Sequence, residues 1–245
     1  MMFELIWRKD SRKLGNVTRT ACIANRRVSI VFGIMLGGLL FLGTSPAHAT
    51  YSGLVLIPTA DMVPVGEYAV ELQFDGSLGA CKADTELLNT QFGFSSRLEA
   101  GLDFDLSKGV DSRILTNAKY IISPGGENRP SLALGTFNLA PNFKHTPYVV
   151  ATQDFKAMRG HLGIMRTDSK NRLFVGADCP INDKISLMAD YTGGEENSSS
   201  VGINYQPSDR FGILSGVQFP NAGGDTLFTV HFTLSGEFRN ARIGD

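Results

Sequence analysis

The sequence predicts an all-β protein: an antiparallel, up-and-down transmembrane β-barrel of about twelve strands that follows a cleaved signal peptide. Three observations predict it. From residue 67 onward apolar and polar side chains alternate with period two, turn-forming clusters interrupt that alternation at short and even intervals, and a basic, then apolar, leader precedes it. Successive side chains of a strand point to opposite faces, so each run is a ribbon with one oily and one wet side.

The leader comes first. Residues 1–27 carry Arg8, Lys9, Arg12, Lys13, Arg19, Arg26 and Arg27 against only Glu4 and Asp10. The uncharged run VSIVFGIMLGGLLFLG follows, and Ala47-His48-Ala49 has the small-residue pattern of a leader-peptidase site, so 1–49 is read as a signal peptide cut after Ala49. The apolar run is short for a helical span of roughly 20 residues. Removing the leader leaves 16 basic and 22 acidic residues, a net charge of about −6, and no basic block that would hold nucleic acid. Cys22 leaves with it, and the remaining Cys81 and Cys179 are too few for a disulfide scaffold.

Residues 50–66 form a lead-in. Its GLVLIPTA, residues 53–60, is either an extra strand with PTADMVPVG as the turn, or a segment tucked into the barrel mouth as a plug. The barrel proper is expected over 67–238, with 239–245 as a C-terminal tail. EYAVELQFDG opens it at 67–76, ELLNTQFGF follows at 86–94, and LEAGLDFDLS at 98–107 keeps strict alternation for ten residues. SRILTNAKYIIS (112–123) and RPSLALGTFN (129–138) flank the breaker PGGEN. TPYVVATQD, RGHLGIMRT, RLFVGAD, KISLMADY and SVGINYQ come next, then RFGILSGVQF (210–219) and DTLFTVHFTLSGEF (225–238). Asp168-Ser169-Lys170-Asn171, Asn182-Asp183, Gly193-Gly194, Pro207-Ser208-Asp209 and Asn221-Ala222-Gly223-Gly224 mark turns between them.

Aligned by alternation, the apolar register includes Val70, Leu72, Ile114, Ile122, Tyr148, Val150, Leu162, Ile164, Val201, Ile203, Phe232 and Leu234, without a charged residue. The other register carries Glu71, Gln91, Glu99, Asp103, Asp105, Asn117, Lys119, Gln153, His161, Asp178, Asp190 and His231, diluted with glycines such as Gly176, Gly202 and Gly216. Small residues and mixed charges suit a narrow wet interior. Glu71, Gln91, Glu99, Asp103, Asp105, Asn117, Lys119, His161, Asp190 and His231 are therefore the candidate lumen-facing residues. Phe74, Phe94, Tyr120, Tyr148, Tyr191, Tyr205, Phe211 and Phe219, near strand ends, suit interfacial girdles.

A soluble β-sandwich uses the same alternation with its oily faces turned inward. The number of strands, the leader and strand lengths near the roughly 9 to 11 residues of a tilted membrane strand favour the barrel. Closure also removes the exposed edges that make exported strands aggregate. With residue 67 starting an upward strand, Cys81 falls in an external loop and Cys179 in a periplasmic turn, too far apart to pair.

Gly53-Leu54, Pro58-Thr59-Ala60 and Gly66 within YSGLVLIPTADMVPVGEY resemble the opening of YjbH-type outer-membrane barrels, a family linked with exopolysaccharide export loci. Ala189-Asp190-Tyr191, Gly202-Ile203-Asn204-Tyr205 and Gly216-Val217-Gln218-Phe219-Pro220-Asn221 resemble hairpins of the same group. The resemblance implies the outer membrane of a Gram-negative bacterium, with its lipid and its barrel-assembly machinery as partners, and polysaccharide handling as the role. The last strand ends at Phe238, the aromatic finish that outer-membrane barrels share, with RNARIGD beyond it.

Little points to catalysis. Beyond the leader there are three histidines, His145, His161 and His231, and no Gly-x-Ser-x-Gly elbow. No short-range spacing suits a metal, and TGGEENSSS lacks the lysine and helix of a phosphate loop. No catalytic residue, cofactor or metal is expected. The expected function is a small porin-like channel or export-associated barrel for polar solutes or polysaccharide, preferring cations because Asp outnumbers Lys on the wet face. A plugged structural barrel and a secreted sandwich that binds ligands are the alternatives.

Overall fold

A computed structural model describes residues 52–80, 82–107, 113–139, 144–167 and 169–238. The leader, Cys81 and the C-terminal tail lie outside these residues. Twelve strands run in chain order: β1 Glu67–Ser77, β2 Lys82–Gly93, β3 Leu98–Asp105, β4 Arg113–Ser123, β5 Ser131–Phe137 and β6 Thr146–Asp154, then β7 Arg159–Thr167, β8 Lys170–Asn182, β9 Ile185–Thr192, β10 Ser198–Ser208, β11 Phe211–Pro220 and β12 Leu227–Glu237. Each pairs antiparallel with its sequence neighbours, and β1 pairs with β12 from Glu67↔Glu237 to Ser77↔Leu227. The sheet is a closed barrel with no edge.

Period two decides which side chains go in. On β7, His161 is 2% exposed while its neighbours Leu162 and Ile164 are 54% and 52% exposed. The outward face is a belt of large apolar side chains, among them Leu102, Ile114, Ile122, Leu134, Leu173, Val201 and Leu234. Aromatics collect at its two rims. At the rim where the chain enters β1, Tyr68 and Phe92 pack on Phe238 with ring centroids 5.3 and 5.9 Å away, and Phe94, Tyr120 and Tyr205 stand exposed. Tyr191 and Phe219 stand exposed at the other rim.

Two sequence expectations need correction. Tyr148 and Val150 face inward, at 4% and 0% exposure, and Val149 at 52% faces out. Pro147-Tyr148-Val149-Val150-Ala151 is apolar at every position, so period two carries no sign there. Thr146 and Thr152, buried with Tyr148 and Val150, settle it: Tyr148 leaves the girdle, and Gln153 leaves the wet face. The second concerns β8, which runs to thirteen residues rather than stopping at Asp178. Pro180 reads as a breaker, but it sits where the register with β9 shifts, between Pro180 and Asn182, and a bulge tolerates the missing N–H. Cys179 therefore lies in β8 rather than in a turn, as a free thiol.

Candidate functional site: the lumen and the hairpin across it

The lead-in is neither an added strand nor a loop outside the barrel. Gly53 and Pro58 bridge, Leu54 N–H donates to the Ile57 carbonyl at 2.9 Å, and Thr59 N–H donates to the Ser52 carbonyl at 3.2 Å, making a short hairpin. A run with apolar residues at 54, 55, 56 and 57 has no wet face, and here Leu54, Val55 and Ile57 are all buried. They pack with Tyr148, Val150, Phe174, Met188 and Leu214, inside the barrel. Burial of a Leu, Val or Ile side chain contributes about 1.5–3 kcal/mol.

Glycines on the inner wall make the room. A Cβ at Gly176 would stand 2.6 Å from side-chain atoms of both Leu54 and Ile57, and one at Gly202 or Gly216 would stand 2.6 or 2.8 Å from Val55. These distances are below those of real contacts, so a side chain at any of these positions on β8, β10 and β11 would push the hairpin's side chains aside. The glycines read from the sequence as thinning of a wet interior are the sockets of this hairpin.

Polar side chains hold its backbone. The Asp190 carboxylate accepts from Leu56 N–H at 3.0 Å and from the Ser200 hydroxyl at 2.6 Å. Thr152 Oγ1 accepts from Ala60 N–H at 2.9 Å and Glu99 from Val63 N–H at 2.6 Å. Lys119 Nζ donates to the carbonyls of Asp61 and Ser52 at 2.6 and 3.2 Å and lies 3.7 Å from Glu99. Ser52 hydroxyl donates to Gln91 at 2.7 Å. The partners lie on β2, β3, β4 and β6 at one end of the hairpin and on β8 to β11 at its turn. In a ring of twelve strands those are opposite walls.

Arg159, on β7, closes the mouth side. Its guanidinium donates to both Asp61 oxygens at 3.0 and 2.9 Å and through Nε to Asp178 at 3.2 Å. Burial pushes the Asp61 carboxyl up, but Arg159 outweighs it and holds the group below the usual carboxylate range. His161 lies 2.7 Å from Asp178 through Nε2 and 2.9 Å from Thr152 through Nδ1. Ala60, Thr152, His161, Asp178, Arg159 and Asp61 thus form one chain of hydrogen bonds that begins and ends on the hairpin.

The other wall, formed by β12, β1, β2 and β3 with Asn117 of β4, is different. His231 lies 3.1 Å from Glu71 through Nδ1 and 2.7 Å from Thr229 through Nε2. Asn89 donates to Glu71 and Gln73, Thr233 to Glu71, Gln73 to Asp75, and Asn117 to both oxygens of Asp103. Both histidines have a threonine and a carboxylate in the order of a hydrolase relay. Neither hydroxyl is presented to a substrate: Thr229 is wholly buried, and Thr152 is engaged by Ala60.

All ten sequence-selected residues lie on the inward register. Gln91, Glu99, Lys119 and Asp190 grip the hairpin, His161 supports it, and Glu71, Asp103, Asn117 and His231 join on the other wall. Asp105 stands apart, capping Ser107 N–H at 3.0 Å. Sequence reading missed Asp61, Arg159 and Thr152. Asp61 and Arg159 are 98 residues apart, beyond any local spacing; the signal that was available is the uninterrupted apolar run at 54–57.

No family model matches the chain, and no curated protein sequence matches it. Solved structures do. The barrel resembles the KdgM porin in complex with disordered oligogalacturonate, at 11% identity and a TM-score of 0.53 over 69% of this chain and 99% of that one. The two barrels share a fold. A second KdgM porin structure gives 12% identity and the same score and coverage; the NanC porin gives 8% and 0.47 over 68% and 98%.

Proposed function

We propose that this chain is a porin-like barrel of a Gram-negative outer membrane that passes polar solutes, cationic or neutral in preference to anionic. The observation that carries this is the closed barrel turned oily side out: the exposed apolar belt between two aromatic rims matches a lipid boundary, and the polar face is enclosed. Its environment is therefore outer-membrane lipid, reached through the barrel-assembly machinery. Charge balance argues for the selectivity. Inward Lys119, Arg159 and Arg172 are each engaged by carboxylates, on Glu99, on Asp61 and Asp178, and on Glu196. Glu71, Asp75 and Asp103 share a wall with neither lysine nor arginine bonded to them among the described residues, where His231 lies 3.1 Å from Glu71. The KdgM structure holds oligogalacturonate, a polyanion; such a ligand fits this charge pattern poorly. The resemblance to YjbH-type barrels supports saccharide chains as the polymer class.

The test begins with gel mobility of the membrane-extracted protein with and without boiling. A heat-dependent shift, with no protein in the soluble periplasmic fraction, is expected. Reversal potentials across a salt gradient then read selectivity, and an anion preference would sink the charge argument. The hairpin across the lumen favours a second reading, a barrel kept shut for a structural or assembly role, and an inserted protein that passes no ions under any treatment would select it.

A further inference from the structure

We propose that the lumen wall is a peptide-binding site for a turn-forming, apolar segment, occupied at rest by the chain's own residues 52–63 and able to bind that peptide again once vacated. The inference rests on the channel reading above and names what controls it. Binding here has the marks of ligand recognition. There are sockets of defined shape at Gly176, Gly202 and Gly216, a carboxylate at Asp190 that accepts the Leu56 amide of the turn, and an ammonium at Lys119 that takes two carbonyls.

The occupant is separable from the barrel. Its contacts with the wall run through side chains, and the bridge between Val65 and Gly93 at the mouth is where the lead-in meets a strand through its backbone. Withdrawal leaves all twelve strand pairings in place. Between hairpin and β1 lie Pro64, Val65 and Gly66, all exposed, with Gly66 at φ +79°, a conformation open to glycine and awkward for other residues. Gly66 is anchored there, its N–H donating to the Gly93 carbonyl at 3.0 Å and its carbonyl accepting from Phe238 N–H at 2.8 Å, so the rim end of the lead-in stays fixed while residues 52–63 leave. The vacated wall would present Gln91, Glu99, Lys119, Thr152 and Asp190 beside an apolar patch of Tyr148, Val150, Phe174, Met188 and Leu214, a surface complementary to an apolar turn held by its backbone.

The occupied state spans opposite walls, so removing the hairpin opens the lumen and restoring it closes it. The test uses the full-length protein with Cys81 and Cys179 replaced by serine and a disulfide installed as V55C with G216C, across the contact where a Cβ at 216 would stand 2.8 Å from Val55. Oxidised, it is expected to lower ion flux in planar bilayers to background, and reductant to restore the wild-type trace. A companion variant lacking residues 52–63 is expected to raise flux at least about tenfold over intact protein, and a synthetic peptide of sequence SGLVLIPTADMV to bring it back down. A peptide with the Leu54 and Ile57 positions changed to Ser should fail to block.

Equal flux from oxidised and reduced protein, or a trimmed barrel insensitive to the peptide, would overturn the site. If trimming prevents insertion, the oxidised and reduced pair decides alone. If the intact barrel conducts as strongly as the trimmed one, the channel reading stands and the site falls. If every heat-modifiable, inserted form stays silent, the channel reading falls too.

Discussion

The two walls of the lumen use nearly the same alphabet for different ends. The wall formed by β6 to β11 joins acids, a histidine, an arginine and glycines into the hairpin's seat, with Thr152, Arg159, His161, Asp178 and Asp190 bonded to it directly or in relay. The wall formed by β12 and β1 to β3 lends Gln91 and Glu99 to the hairpin, but its Glu71, Gln73, Asp75, Asn89 and His231 bond among themselves. Chemistry on a barrel's inner face is therefore set less by residue type than by what occupies the space opposite. A glycine across from a side chain is a socket, whereas a glycine across from nothing is merely a gap.

This contrast can be broken most forcefully at Lys119, which serves both the sheet and the hairpin. Lys119→Met should leave Glu99 buried without its cation, a loss of about 3–5 kcal/mol, read as a lower urea midpoint for the barrel in detergent. It should also make residues 52–63 accessible to protease. Next is a paired change. Gly176→Leu should overpack the socket by about 1–3 kcal/mol and expel the hairpin, again read by proteolysis. Gly212→Ala should do neither, because a Cβ there meets only Asn204 Oδ1 at 3.9 Å. If both glycines behave alike, the socket description is wrong.

On the opposite wall, Asp103→Asn keeps the shape beside Asn117 and removes a charge. Stability should change by no more than about 0.5 kcal/mol, with the hairpin still protected, while the reversal potential moves toward anions in the open form. The smallest effect is acid dependence at Asp61. Because Arg159 lowers its folded pKa, the ion pair contributes fully above the unfolded carboxylate value of about 3.9. That contribution is lost as pH falls through the depressed value. Protection of residues 52–63 against an acid-active protease should therefore weaken at the acid end, and Asp61→Asn should make that pH dependence shallower, with Glu99 and Asp190 still bonded to the hairpin.

How much of this could be read from the chain follows from the range of each signal. Strand existence is local, so the alternation of LEAGLDFDLS or RGHLGIMRT marks its strand and its faces directly. The sign of a face fails where both faces are apolar, as at Tyr148 to Ala151. Strand ends fail where a bulge accommodates a breaker, as at Pro180. The candidate lumen residues were legible because charge must avoid the oily belt. Their partners were not, because Asp61 finds Arg159, and Leu56 finds Asp190, only through closure of the ring. The choice between strand and plug for GLVLIPTA could have been narrowed by its four consecutive apolar residues, which no one-sided ribbon can shelter.

The hairpin's seat also has a consequence for the order of events during folding. Leu56 meets Asp190 across 134 residues of chain, and the socket for Val55 extends to Gly216 on the penultimate strand. Contacts of such separation cannot form until the intervening loop has been closed, and that closure is slow compared with pairing of adjacent strands. The first described stretch of the chain is thus expected to be the last to find its place. Until β1 has met β12 it has nowhere to go, so a protected hairpin reports that the ring has been completed.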